Sequence, residues 1–282
     1  MLGLARPVFA SDFWDEVRTP GLRAYVQLVS NARRSFNAAQ HTAALATADE
    51  AHALLPSRCE ALVVRGRALA SLARVADARE AFAEALRRSP DCLDDTQDAN
   101  AAARSAAEAG DYALASRILS HAVDREAPGA VRASLYVLLG DAEQAQGPDH
   151  LRAAVQAYRA GLRTSNADLR SRAGLALALR RQDQRTDAQS ALGSILSTGG
   201  RIGTAFATAR TFLPATEVAA REAILLEALH DEAGARDAWT RAALDGPWSA
   251  FANGELRTLA ARLATARPNA PTLPSASRPR QP

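Results

Sequence analysis

The feature that most constrains this chain is a unit that ends in proline and fits a period of 34 residues. It runs from about Cys59 to Pro90 and reads CEALVVRGRALASLARVADAREAFAEALRRSP, and Pro56 stands one 34-residue period before Pro90. Apolar residues such as Leu62 and Leu69 recur in it at helical spacing. Because proline cannot continue a helix, it closes the unit. The pattern predicts a pair of antiparallel helices.

This unit resembles the tetratricopeptide repeat (TPR), whose pattern is W-x2-L-G-x2-Y, A-x3-F and P over 34 residues. The matching positions are Gly66, Ala78, Phe82 and Pro90, whereas Leu62, Arg65 and Leu69 replace the Trp, Leu and Tyr. The small residues let two helices approach closely, and Phe82 fills the angle between them. One such hairpin cannot cover its own apolar face, so the resemblance implies a row of stacked repeats.

Related units follow one another along the chain. The first spans about Tyr25 to Pro56, and later ones are marked by Gly110-Asp111-Tyr112, by Gly140 with Tyr158, and by a fifth unit that ends at Gly199-Gly200. The register blurs beyond Gly200, and a capping helix is expected over about 249–266. We therefore predict an all-α fold, a right-handed superhelical solenoid of about five to six TPR-like hairpins with capping helices.

The chain divides into three expected regions. Residues 1–12 form a disordered or signal-like N-terminus, 13–266 the TPR-like α-solenoid, and 267–282 a disordered tail rich in Pro and Arg. Phe13 and Trp14 are expected to cap the open end of the solenoid. The first ten residues are too short for a secretory signal and contain Pro7, so a leader encoded upstream of Met1 is one alternative.

Composition narrows the class of protein. Hydrophobic residues make up 48% of the chain but aromatic residues only 5%, which favours thin, close-packed helices of Ala and Leu. All 34 basic residues are Arg, which suggests a GC-rich bacterial genome. The net charge is +3, and the tail alone supplies it through Arg267, Arg278 and Arg280. The body is formally neutral, so nucleic-acid binding is not predicted.

The sequence contains no recognisable motif for catalysis, cofactor binding or metal binding. The five histidines never fall at metal-ligand spacing, and no G-x-S-x-G, phosphate loop or H-E-x-x-H occurs. The glycines at 199, 200 and 203 follow no strand, which favours a linker over a phosphate loop. No enzyme, cofactor or metal site is predicted. No apolar run reaches the length of about 20 residues that a bilayer span needs.

The two cysteines fall at the same end of one predicted hairpin. Cys59 opens the first helix and Cys92 stands just after the second. A disulfide that closes the hairpin is one prediction, and it suits an exported protein, because a cytosol keeps thiols reduced. Two unpaired small apolar side chains are the alternative.

An arginine column is the main functional feature. Arg33, Arg67 and Arg104 each follow the small residue of the first helix in three successive repeats. In TPR proteins this position usually lines the concave groove, so the resemblance implies three aligned guanidinium groups that could grip carboxylates. Asn37, Asn100 and Gln97 are the expected polar neighbours. The alternative is that the arginines pair with acids of their own chain, such as Glu60 and Glu108.

These features favour a non-catalytic interaction scaffold or adaptor that binds an extended peptide or helix of another protein, with an acidic ligand as one option. The alternative is a structural assembly component that self-associates or joins a cell-envelope complex, with Trp14, Trp239 and Trp248 as contact points. The compartment stays open between the cytoplasm and, with an upstream leader, the periplasm. The oligomeric state is not predicted.

Overall fold

The computed structural model describes residues 20–164, 169–193 and 212–266. Within these ranges it contains thirteen α-helices, two short 3-10 helices and no strand. The expectations for residues 1–12, for Phe13 and Trp14, for Gly199-Gly200 and for the tail from 267 lie outside the described residues. No helix of the described ranges is both long enough and apolar enough to cross a membrane.

The chain forms two compact units, which divide after Pro214. In the first unit the helices form consecutive antiparallel hairpins, as the 34-residue period predicts. Their bounds are α1 (Leu22–Asn37) with α2 (His41–Leu54), α3 (Glu60–Ser71) with α4 (Val75–Arg88), α5 (Thr96–Glu108) with α6 (Tyr112–Arg125), α7 (Ala130–Ala145) with α8 (Leu151–Thr164), and α9 (Leu169–Arg181) with α10 (Arg185–Leu192). Short 3-10 helices span Pro90–Leu93 and Pro148–His150.

Each helix packs mainly against its neighbours in sequence, and first helices also contact each other. The helix α3 lies against both α1 and α5, and α7 lies against α9. The first helices therefore run side by side in the first three hairpins and again in the fourth and fifth. The all-α class and the hairpin architecture are confirmed, whereas the right-handed sense, the repeat count and a single solenoid over 13–266 stay predictions.

Most hairpins share one kind of tight turn. A residue with a left-handed backbone, φ between 57° and 78°, follows the first helix at Ala39, Ala73, Gly110, Asp183 and His230. In the second hairpin the next amide, Arg74 N–H, donates to the Leu69 carbonyl at 2.9 Å, and the other four turns repeat this bond. This is the bond of a Schellman motif, which satisfies carbonyls left free at a helix end. Only Gly110 supplies the residue that such a backbone favours.

Aromatic rings and facing glycines set the distance between helices. Phe82 of α4 is fully buried against Gly66 of α3, as the pattern predicts. Tyr158 of α8 plays the same part against Gly140 of its own hairpin and also against Gly174 of the next one. A side chain at any of these three glycines would overlap the ring, so the packing depends on residues without a Cβ.

The second unit contains α11 (Ala215–Ala228), α12 (Glu232–Ala242) and α13 (Ser249–Ala266). The last helix matches the expected bounds of the capping helix. Trp239 is fully buried, its indole N–H donates to Glu227, and its ring meets Phe251 edge-on at 6.0 Å between centroids. Trp239 is therefore a core residue, and the expectation that it is a surface contact point is wrong.

Candidate ligand groove on the first helices

The arginine column begins on neighbouring helices of the first unit. Arg33 lies on α1, Arg67 on α3 and Arg104 on α5, each directly after a fully or nearly fully buried small residue. Burial of that small residue against the second helix leaves the next side chain near the edge of the buried face. The helix α3 packs against both other helices, so the three positions lie on adjoining helices.

Four of the six predicted groove residues line one concavity of about 160 Å³. They are Arg33, Asn37, Arg67 and Gln97, and the other lining residues are Phe36, Val64, Asp95 and Asp98. The concavity spans α1, α3 and the start of α5, so it joins the first helices of three successive hairpins. We call it the first-helix groove.

Arg67 lines the first-helix groove and is held on two sides. Its Nη1 lies 2.7 Å from Oδ1 of Asp98, and its guanidinium carbon lies 4.4 Å from the centroid of the Phe36 ring. The ion pair and the cation–π contact fix the plane of the guanidinium. The prediction that column arginines pair within the chain thus fits Arg67, although its acid is Asp98 and neither Glu60 nor Glu108.

Asp98 was missed by sequence reasoning, although its position carries a signal. Asp95 caps the start of α5 by accepting hydrogen bonds from the amides of Gln97 and Asp98, at 2.9 and 3.1 Å. This cap places Asp98 in the first turn, with its side chain turned toward Arg67. Burial raises the pKa of Asp98 above its usual range, while the charges of Arg67 and Arg33 act in the opposite direction.

The other three predicted residues of the groove present side-chain polar atoms that are free to bind a ligand. Arg33, Asn37 and Gln97 are exposed, and no carboxylate of the described ranges forms an ion pair with Arg33. Arg67 therefore shows how the groove holds a carboxylate, and Arg33 offers the same chemistry to a ligand. The groove thus combines two guanidinium groups, two amides, two carboxylates and an aromatic wall.

Arg104 and Asn100 lie outside this concavity. The Nε–H of Arg104 donates to Oδ1 of Asn100 at 3.1 Å, so these two predicted residues pair with each other along α5. Burial lowers the pKa of Arg104, and the positive charge of Arg170 adds to the effect. The structure thus divides the predicted set into four residues of the first-helix groove and a separate pair.

The chain forms repeated hairpins, and glycines pack under Phe82 and Tyr158. Two of the hairpins end in prolines that are 34 residues apart. The fold is TPR-like.

Comparison with known proteins adds solved structures of low similarity. No protein-family model matches the chain, and no curated protein does. A crystal structure of MamA protein is 15% identical, with a TM-score of 0.49, over 61% of this chain and 90% of that one. A Pseudomonas aeruginosa PilF structure is 14% identical, with a TM-score of 0.47, over 85% and 98%. A tetratricopeptide repeat protein from Parabacteroides merdae is 10% identical, with a TM-score of 0.41, over 88% of each.

In this TPR-like chain Cys59 and Cys92 come together at the open end of the second hairpin, opposite its turn. Cys59 immediately precedes α3, and Cys92 lies in the 3-10 helix after α4. Their Cα atoms are 6.2 Å apart and the structure joins their sulfurs in a disulfide. This separation lies within the range that a disulfide spans without backbone movement.

A cluster of oxygen and nitrogen donors lies beside the third hairpin. Asp91, Asp94 and His121 bring one ligand atom each within 4.8 Å of the others. Arg125 pairs with Asp91 at 2.5 Å and with Asp94 at 3.6 Å, and His121 Nε2 lies 2.8 Å from Asp94. The arginine supplies the positive charge that a metal ion would otherwise bring, so the cluster is an ion-pair network of the scaffold.

Proposed function

We propose that this chain is a non-catalytic adaptor that binds an extended acidic peptide or helix of another protein in the first-helix groove. The observation that carries the proposal is the convergence of Arg33, Asn37, Arg67 and Gln97 on one concavity. A guanidinium next to amide groups suits a carboxylate, which can accept two parallel N–H bonds from one arginine. The first helices of three hairpins supply the walls, which suits an elongated ligand.

Asp98 is central to the affinity of such a groove. It neutralises Arg67 from within the chain, so an incoming carboxylate meets one free arginine, Arg33, and one engaged arginine. Replacing Asp98 with Asn would release Arg67 and raise the affinity for an acidic ligand. The same replacement would weaken binding of a basic ligand, which distinguishes the two charge classes.

Affinity capture with the full chain, followed by mass spectrometry, tests the proposal in extracts of the native organism. Partners retained by the wild type should be lost with Arg33→Ala/Arg67→Ala and kept with Arg34→Ala. Arg34 is a matched control because it is an exposed arginine on the same helix that bonds Asn31 at 3.1 Å and does not line the groove. Recovery of every partner by the double variant would refute the groove assignment.

A further inference from the structure

A second concavity lies on other helices of the first unit. It has a volume of about 590 Å³ and is bounded by α6, α7 and α8. Half-buried Tyr136 and Leu139 from α7, with Ala157 and Ala160 from α8, form its apolar part. We call it the α8 cavity. None of its lining residues belongs to the first-helix groove.

The basic edge of the α8 cavity comes from one helix. Arg159 and Arg163 both line the cavity, both are exposed, and they stand four residues apart on the same face of α8. The helix carries Arg152 as a third arginine and no acid between Leu151 and Thr164. No carboxylate in the described part of the chain forms an ion pair with Arg159 or Arg163.

Glu143 is the acid that lines the α8 cavity, and its carboxylate is already engaged. Ser116 donates its hydroxyl hydrogen to one oxygen, and His150 Nδ1 lies 2.7 Å from the other. Its side chain is only 13% exposed. Glu143 therefore leaves the positive charge of the two arginines in place.

The corresponding surface of the second hairpin carries acidic residues that the fourth hairpin does not have. Arg87 stands as far along the chain from Phe82 as Arg163 does from Tyr158. Arg87 pairs with Glu84, whereas Ala160 takes the place of that acid near Arg163. Glu80, which pairs with Arg79 at 3.6 Å, is likewise replaced by Gln156. On this surface the second hairpin pairs Arg87 with its own Glu84, whereas the fourth hairpin has Ala160 and Gln156 in place of the two carboxylates.

We propose that the α8 cavity binds an acidic, amphipathic segment of a partner protein. An apolar side chain of the segment enters between Tyr136, Leu139 and the alanines, and two carboxylates one helical turn apart meet Arg159 and Arg163. Charge complementarity selects this occupant, because no carboxylate in the described part of the chain pairs with Arg159 or Arg163, whereas Arg87, the counterpart of Arg163, is paired with Glu84. A concave, partly apolar floor favours a protein segment over the flat phosphate surface of a membrane or a nucleic acid. This proposal does not depend on the first-helix groove.

Selection from a displayed library of random 16-residue peptides tests the proposal on the full chain. We expect enriched peptides to carry an apolar residue and two acidic residues three or four positions apart. Fluorescence anisotropy should show that Arg159→Glu/Arg163→Glu weakens their binding by roughly tenfold to a hundredfold, because attraction becomes repulsion at two sites. Peptides with Lys in place of the two acids should bind the reversed variant better than the wild type. Such rescue is not expected from a merely structural role.

The matched control is Arg79→Ala/Arg87→Ala, which removes arginines that are already paired on the second hairpin and should leave peptide affinity unchanged. Circular dichroism verifies that the reversed variant is folded. Enrichment without acidic residues, or equal binding by the reversed variant, would overturn the proposal. Tighter binding of a 12-nucleotide single-stranded DNA or of phosphatidylserine vesicles, lost with the same two arginines, would also overturn it in favour of a phosphate ligand.

Discussion

Phe82 occupies the space that a side chain on Gly66 would need: a Cβ built on Gly66 would lie 2.8 Å from the ring. Real Cβ atoms do not approach another atom so closely, and the ring is fully buried, so it cannot turn away. The contact joins the two helices of the hairpin. It explains in physical terms why the repeat pattern requires a glycine and a phenylalanine at these two positions.

The first prediction concerns this contact. Gly66→Ala should reduce the free energy of unfolding by about 1–3 kcal/mol, because the added methyl group overpacks the hairpin. Gly254 is the control, since it also lies inside a helix but a Cβ there would meet only Arg257 at 3.9 Å. Gly254→Ala should instead stabilise by about 0.5–1 kcal/mol, because alanine favours a helix more than glycine does. Urea denaturation measures both, and equal effects would contradict the packing argument.

The turns provide a second prediction with opposite signs at equivalent positions. Ala73 and Gly110 both have a left-handed backbone, with φ of 57° and 78°. Ala73→Gly should stabilise the protein and Gly110→Ala should destabilise it, each by about 0.5–1 kcal/mol, because only glycine adopts this backbone freely. A Cβ on Gly110 would meet nothing within 4 Å, so its loss would come from the backbone alone. Thermal melting of the two variants should move in opposite directions.

The sequence predicts the hairpins well because their signals are local. Proline spacing, small residues and the rings of the second and fourth hairpins each act locally, so the sequence alone points to Gly66, Phe82 and Tyr158. The left-handed turns were not, because Ala39 and Ala73 have no special propensity for that backbone. At these positions the packing of two helices determines the turn against the local preference of the residue.

The groove could be predicted only in part because ion pairs join different repeats. The place of Arg33 and Arg67 follows from the period, but the choice of Asp98 as the partner of Arg67 depends on how the second and third hairpins stack. Arg104 has the same place in its repeat, yet it donates a hydrogen bond to Asn100 of its own helix. The charge of Arg170, from a later hairpin, helps to lower its pKa. Sequence position therefore identifies the face, and stacking decides the partner.

The third prediction concerns Cys59 and Cys92. Their bridge closes a loop with a sequence separation of 33 residues. Such a loop is expected to stabilise the folded chain by about 3–4 kcal/mol, mainly by restricting the unfolded chain. Cys59→Ser/Cys92→Ser should lower the melting temperature, and a reducing agent should lower that of the wild type but leave that of the variant unchanged. Two titratable thiols in the native protein purified without reductant would contradict the bridge.

The fourth prediction uses the pKa of Asp98, which burial raises. A carboxyl whose pKa is higher in the folded than in the unfolded chain binds its proton more tightly when folded. Its contribution to stability is therefore greatest below the ordinary carboxyl pKa and falls as the pH rises through the raised value. The free energy of unfolding of the wild type, relative to that of Asp98→Asn, should accordingly fall from acidic to neutral pH. Urea denaturation across this range measures both values. A relative stability that rises with pH would show that the ion pair with Arg67 outweighs the effect of burial.

The last prediction concerns a buried ion pair between the fourth and fifth hairpins. Asp141 is fully buried, and its Oδ2 accepts from Nε of Arg170 at 2.9 Å while Oδ1 accepts from Tyr158 at 2.7 Å. Arg170→Met would remove the cation that pairs with this buried carboxylate and should cost about 3–5 kcal/mol. Asp141→Leu/Arg170→Met should cost less than Arg170→Met alone, since it removes both charges, and Tyr158 keeps Gln144 as an acceptor at 3.0 Å. A double-mutant cycle by urea denaturation measures the coupling, and additive losses would show that the two residues act independently.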